Sequence, residues 1–95
     1  MTTPVSSIRV EGQPSPTRLQ ELGVATWPIW SKEISTFPWT YTENETCYFL
    51  AGKVLVHDSH GESVEVGSGD LVTFPAGLSC TWQVIEPVRK HYHFH

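Results

Sequence analysis

Glu45-Thr46-Cys47-Tyr48-Phe49-Leu50-Ala51-Gly52 and, further on, Gly69-Asp70-Leu71-Val72-Thr73-Phe74-Pro75-Ala76-Gly77-Leu78-Ser79-Cys80 are the stretches on which the fold turns. Each sets β-branched and aromatic residues beside Gly or Pro, the pattern of a short strand meeting a turn. Thr46 to Leu50 reads as one strand, closed by a turn near Ala51 and Gly52, and Leu71 to Phe74 reads as another.

The same pattern extends outward in both directions. On the C-terminal side come the apolar run Val54 to Val56, a turn marked by Asp58, Ser59 and Gly61, and the alternating segment Ser63 to Val66. A turn over Gly67 to Asp70 precedes Leu71, and Cys80 to Ile85 follows the second stretch. Glu86 and Pro87 read as a break before the last strand, Val88 to Phe94. On the N-terminal side, Ile8 to Glu11 is a strand that stops before Pro14. Ser15 then stands as a helix N-cap with Pro16 at the first helical position, Leu19 and Leu22 share a face, and Gly23 sits at the C-cap. That predicts one helix of about two turns. Trp27 to Glu33 and Ile34 to Tyr41 are aromatic, β-branched strands whose Pro28 and Pro38 favour ends or edges. About eight to ten short strands and one short N-terminal helix predict an all-β barrel or double sheet of the jelly-roll type.

With 95 residues the chain is expected to form a single domain over 1–95, with residues 1–7 disordered. The composition, 39% hydrophobic and 12% aromatic, supplies a packed core. A net charge of −4 without any basic block argues against a nucleic-acid partner. No stretch reaches the roughly 18 apolar residues of a membrane helix, and Met1 to Ser7 is too polar for a signal-peptide core, so a cytoplasmic or organelle-stroma location without a membrane partner is expected. Cys47 and Cys80 are too few and too far apart for a disulfide framework or a close-spaced metal motif, and are expected to be reduced.

The two opening stretches resemble the two motifs of the cupins. In the first motif two His precede a Glu and a Gly; Glu45 and Gly52 stand at that spacing, with Trp39 and Tyr41 where the His pair would be. In the second, Gly69, Pro75 and Gly77 fit, and Cys80 takes the place of the closing His. Beyond spacing, Trp27 to Trp30, Asn44 to Tyr48, Gly69 to Cys80 and Glu86 to Tyr92 resemble small cupins of the cupin-3 group, related to the cupin domain of (S)-ureidoglycine aminohydrolase. The resemblance implies a cupin (RmlC-like) jelly-roll barrel. Hydrolases of that group use two cupin domains and a manganese ion, whereas here the His ligands are missing and no metal or other cofactor is expected.

Cupin motif positions point into the barrel. By the two-residue period of a strand, Glu45, Cys47 and Phe49 then share the interior with Cys80, Trp82 and Val84. The candidate ligand-binding residues are Trp39, Tyr41, Glu45, Cys47, Phe49, Cys80 and Trp82, and the candidate catalytic residues are Glu45 and Cys80. Burial of Glu45 among aromatic rings disfavours its charged form, which suits acid–base chemistry near neutrality; the alternative is a structural carboxylate hydrogen-bonded to Tyr41 or backbone amides. An apolar cavity makes the two thiols inert unless Arg89, Lys90 or a His stands close. Arg89-Lys90 reads as a solvated or ion-paired strand end that could hold a ligand carboxylate at the barrel mouth. His57 and His60 flank a turn and are expected to be solvated; His91, His93 and His95 share one strand face, with Tyr92 and Phe94 on the other. Three functions are compatible with this reading: binding of a small polar or aromatic metabolite in a metal-free barrel, catalysis of a hydrolase, isomerase or lyase type through Glu45, or a structural, self-associating role. The eleven aromatic residues, four Trp, four Phe and three Tyr, favour a homodimer that covers some of them.

Overall fold

Two long antiparallel strands organise the protein, whose computed structural model describes residues 7–95. The chain order is β1 (Arg9–Gly12), α1 (Pro16–Leu22), a 3₁₀ turn (Val24–Thr26), β2 (Ile29–Lys32), β3 (Ser35–Thr40), β4 (Glu45–Asp58), β5 (Ser63–Gly67), β6 (Asp70–Phe74) and β7 (Ser79–Phe94). Of the seven residues expected to be disordered, 1–6 lie outside the described residues, and Ser7 is an exposed bend.

The helix forms where its caps place it. Ser15 Oγ accepts the Arg18 backbone N–H at 3.1 Å, Pro16 occupies the first turn, and Gly23 closes the last turn at φ 72° with its N–H on the Leu19 and Gln20 carbonyls. None of its residues is fully buried, so the caps fix its position more than packing does.

β4 and β7 pair along nearly their whole lengths, and every other strand attaches to one of their halves. Glu45 to Phe49 pairs with Lys90 to Phe94, flanked by β6 and then β1 on one side and by β2 on the other. Val54 to Asp58 pairs with Cys80 to Val84, flanked by β5 and β3. The halves meet at a bulge, where register shifts between Phe49 and Val54. They face one another across a common core of Cys47, Phe49, Val72, Phe74 and Val88 from one half and Val54, Val56, Val66, Trp82 and Val84 from the other. Burying each of these Val and Phe side chains stabilises the fold by about 1.5–3 kcal/mol. The result is an all-β jelly-roll barrel with one short helix, as expected from the sequence.

Two breaks expected from the sequence are absent. The turn near Ala51 and Gly52 is instead a bulge inside a continuous β4, and Glu86-Pro87 lies inside a continuous β7. The described residues therefore hold seven strands rather than eight to ten. Each feature has a physical reason. Gly52 sits at φ 96°, and a Cβ there would collide with the Pro87 carbonyl, so only glycine lets the strands pass this closely. Pro87, lacking an N–H, falls in the gap where β7 changes neighbour from β3 (Ser35↔Val84) to β2 (Lys32↔Val88), so no ladder donor is lost there. Pro38 lies within β3, which pairs with β7 alone, and is thus on an edge strand as expected.

Candidate functional site

Inside the barrel, a charged cluster meets a ring of aromatic side chains. β4 enters at Glu45 and alternates Glu45, Cys47 and Phe49 inward; all three are buried. β7 presents Cys80, Trp82, Val84, Val88 and Lys90 to the same interior. Phe49 and Lys90 are direct partners in the ladder, which sets the Lys90 side chain next to those of Cys47 and Glu45.

Lys90 is 4% exposed. Its Nζ donates to Glu45 Oε2 at 2.9 Å and to Cys47 Sγ at 3.1 Å, and the Cys47 thiol donates to the same Glu45 oxygen at 3.0 Å. Four rings surround the ammonium, with centroids at 4.6 Å for Trp82, 5.0 Å for Trp30 and 5.9 Å for both Phe49 and Phe74. Desolvating an ion pair costs several kcal/mol per ion, and here a short charge-assisted hydrogen bond and cation–π contacts oppose that cost.

The pair forms part of the wall of a cavity of about 160 Å³ lined by Trp30, Phe37, Trp39, Tyr41, Glu45, Trp82, Lys90, Tyr92 and Phe94. A turn from the second opening stretch holds its rim. The Tyr41 N–H donates to the Leu78 carbonyl at 2.9 Å, Gly77 N–H donates to the Tyr41 carbonyl at 2.7 Å, and Asn44 Oδ1 accepts the Ala76 N–H at 2.9 Å. Trp39 remains 48% exposed with its ring edge-on to Tyr41, and Tyr41 stacks on Phe74. Among the described residues the buried Trp82 indole N–H has no hydrogen bond of full strength, its polar neighbours being the Tyr41 hydroxyl and the Cys80 thiol, which it weakly stabilises as anions.

Of the residues singled out from the sequence, Trp39, Tyr41, Glu45 and Trp82 line the cavity. Cys47 and Phe49 lie behind its wall, and Cys80 points its thiol at the Trp39 carbonyl, 3.6 Å away. Trp30, Phe37, Tyr92, Phe94 and above all Lys90 are additional lining residues. Lys90 is ion-paired and stands beside a thiol, as two of the readings of the Arg89-Lys90 pair allowed, but it does so buried inside the barrel and not at a solvated strand end. Glu45 is not an isolated carboxyl in an apolar cleft: its partner is an ammonium rather than Tyr41 or backbone amides. Burial lifts the Cys47 thiol far above its ordinary range, with the Lys90 charge only partly opposing it. Burial also pushes Cys80 up to about 11, assisted by the negative charge of Asp58. Tyr41 is held well above the usual phenol range, first by burial and then by the Glu45 charge. All three are protonated at neutral pH.

The motif positions that hold metal ligands in the cupins do not fit a metal ion here. Trp39 offers no donor, Tyr41 and Cys80 keep their protons, and Glu45 already has a resident cation in Lys90. Among the described residues no three His, Cys, Asp or Glu side chains gather as a metal site. The C-terminal histidines lie on the outer face: Trp27, His93 and His95 form a stack, and His91 Nδ1 contacts the Trp27 carbonyl at 2.8 Å. His57, expected to be solvated, instead hydrogen-bonds Ser63 Oγ at 2.6 Å and Gln83 Oε1 at 3.0 Å.

A family profile described as the EutQ-like cupin domain matches residues 19–92. No curated protein matches the chain. Among solved structures, a DUF861 family protein from Thermotoga maritima is similar at 53% identity and a TM-score of 0.91, covering 94% of this chain and 100% of that one. A putative ethanolamine utilization protein Q from Salmonella typhimurium LT2 is 27% identical with a TM-score of 0.63, covering 70% of this chain and 53% of the other. The Clostridium difficile EutQ protein gives 26% and 0.62, with 67% and 46% covered. The chain thus spans about half the length of those two proteins.

Proposed function

The chain belongs to the EutQ-like cupin domain family, and from that premise we propose that its barrel binds a small, planar, polar metabolite against the Lys90–Glu45 pair. One observation carries this reading: a buried ammonium–carboxylate pair forms part of the wall of an aromatic cavity instead of being sealed inside the core. A cavity of about 160 Å³ is close to the roughly 150 Å³ that accommodates benzene in an engineered apolar core, so the enclosed part of the ligand is about one ring in size. Stacking on Trp39, Phe37 or Tyr92 favours a flat ligand. The Lys90 ammonium in the cavity wall has a third N–H beyond those on Glu45 and Cys47, which favours a ligand carrying an acceptor oxygen or nitrogen.

Titration calorimetry with a panel of small aromatic and unsaturated carboxylates, amides and N-heterocycles tests the proposal. Trp39→Ala removes an exposed wall and is expected to weaken binding about tenfold, equivalent to ~1.4 kcal/mol, without changing unfolding. Binding that is indifferent to Trp39→Ala and Lys90→Met, or absent across the panel, sinks the proposal.

Catalysis in the same cavity is the second reading, favoured by a carboxylate and an ammonium that could exchange a proton beside a bound ligand. Glu45→Gln separates the two: loss of turnover with retained binding identifies an enzyme. The relationship to (S)-ureidoglycine aminohydrolase enters as a proposal of common ancestry alone, because manganese chemistry needs donors that Trp39 and Tyr41 do not supply.

A further inference from the structure

The cluster behind the cavity wall has a reactivity that ligand binding does not use. We infer that Cys47 and Lys90 form a reversible covalent crosslink when a small peroxide enters the barrel. Three atoms carry the inference: Lys90 Nζ and Cys47 Sγ lie 3.1 Å apart, and Glu45 Oε2 lies 2.9 Å from the nitrogen and 3.0 Å from the sulfur. Lys90 and Glu45 also line the cavity, so a peroxide held there stands one side chain away from the Cys47 sulfur, which is itself fully buried and is reached when the Lys90 and Glu45 side chains part.

In the first step the thiol sulfur attacks one peroxide oxygen, the O–O bond breaks, and Glu45 takes the thiol proton and passes it to the departing hydroxide. The products are a Cys47 sulfenic acid and water. Glu45 then takes a proton from the Lys90 ammonium, the freed amine attacks the sulfenyl sulfur, and the S–O bond breaks with release of a second water. The balance is one thiol, one alkylammonium and one hydrogen peroxide giving one S–N link, two waters and one proton. Sulfur is oxidised by two electrons and the peroxide is reduced by two. An external thiol reverses the link by attack at sulfur, which expels the Lys90 amine and leaves a mixed disulfide that a second thiol reduces.

Burial slows the first step, because the thiol keeps its proton well beyond the ordinary cysteine range. The second step has the opposite character. The nitrogen is already in contact with the sulfur, so closure proceeds with the high effective concentration of an oriented intramolecular reaction. Cys80 supplies an internal contrast, since its thiol faces a backbone carbonyl and no amine. The link consumes the Lys90 positive charge; that it therefore abolishes ligand binding rests on the function proposed above, whereas its formation does not.

The test is peroxide treatment of the full chain, followed by non-reducing tryptic mass spectrometry. The expected product joins the peptide 33–53, which contains Cys47, to the segment 90–95, blocks cleavage after Lys90, and has lost two hydrogens. Dithiothreitol should restore the separate peptides. Cys80→Ser should leave the product unchanged, Cys47→Ser should abolish it, and Glu45→Gln should slow it about a hundredfold through loss of the proton acceptor. Lys90→Met should leave a Cys47 sulfenic acid that dimedone captures. Oxidation that stops at sulfinic acid on Cys47 in the unaltered chain, or that reaches Cys80 alone, overturns the inference. Ligand titration of the crosslinked protein is read separately: a crosslink with unchanged affinity overturns the binding site assignment and leaves the crosslink standing.

Discussion

The two halves of the β4–β7 ladder use the same strands, the same pairing and the same alternation, yet they fill the barrel with opposite chemistry. Val54 and Val56 on β4 face Val84 and Trp82 on β7, and Val66 of β5 adds to an uninterrupted apolar layer. In the other half the equivalent inward positions are Glu45, Cys47 and Phe49, facing Lys90 and Tyr92. A buried ion pair is seldom the most stable filling for such a space, since apolar residues of similar volume are often neutral or better by about 1–4 kcal/mol. The apolar half shows that this chain can pack such positions without charge. Stability alone therefore does not account for the charged half, and the proposed ligand site would.

The sharpest way to break that contrast is Lys90→Met, which leaves the Glu45 carboxylate buried without its cation. We expect a loss of about 3–5 kcal/mol in urea unfolding, and recovery of most of it when Glu45→Gln is added. A Lys90→Met protein as stable as the parent would show that the pair is not a desolvated charge island. Next, Val56→Ala in the apolar half should cost about 2 kcal/mol from lost burial and a residual cavity, and leave ligand affinity untouched. If Val56→Ala changes affinity, the apolar layer around Trp82 is coupled to the cavity.

A smaller effect appears at alkaline pH. The folded state holds the Cys80 proton more tightly than the unfolded chain, with the thiol moved from 9.0 to about 11. Its contribution is complete below about pH 9 and is lost as pH rises through about 11. Urea midpoints from pH 8 upward should fall, and less steeply in Cys80→Ala; parallel curves would remove Cys80 from the account. Smallest of all, Pro87→Ala should change stability by no more than about 0.5 kcal/mol, because the exposed Pro87 stands where β7 needs no ladder donor. A loss several times larger would mean that the proline ring itself shapes the bulge.

Much of this was legible from residue order. Ser15, Pro16 and Gly23 placed the helix because capping is decided by neighbours in sequence. The inward set Glu45, Cys47, Phe49, Cys80, Trp82 and Val84 followed from strand alternation once a barrel was expected. Lys90 was legible as a cation that could stand near the thiols but not as an inward, buried one, and the reason is physical: reading Pro87 as a strand break discarded the alternation across it. In the continuous β7 the even-numbered positions Cys80, Trp82, Val84, Val88 and Lys90 all face inward. Proline breaks a strand only where its missing N–H is required, and that depends on β2 and β3, more than forty residues away in sequence. On β4 the inward side does change, from odd positions (Glu45, Cys47, Phe49) to even ones (Val54, Val56), and that change is the sequence mark of a bulge at Gly52. The exposure of Trp39 had no local signal, because β3 is an edge strand only through its pairing with the distant β7.

The central place of β7 also has a consequence for synthesis. Residues 79–94 border β2, β3 and β4 together, and some of those pairings join positions about as far apart as Ile29 and His91. While residues 79–94 are still inside the ribosome, β2 and β3 have no strand to pair with, and the carboxylate of Glu45 has no cation. The earlier strands must wait as an open, partly apolar sheet, and the whole barrel then closes in one late step around Lys90.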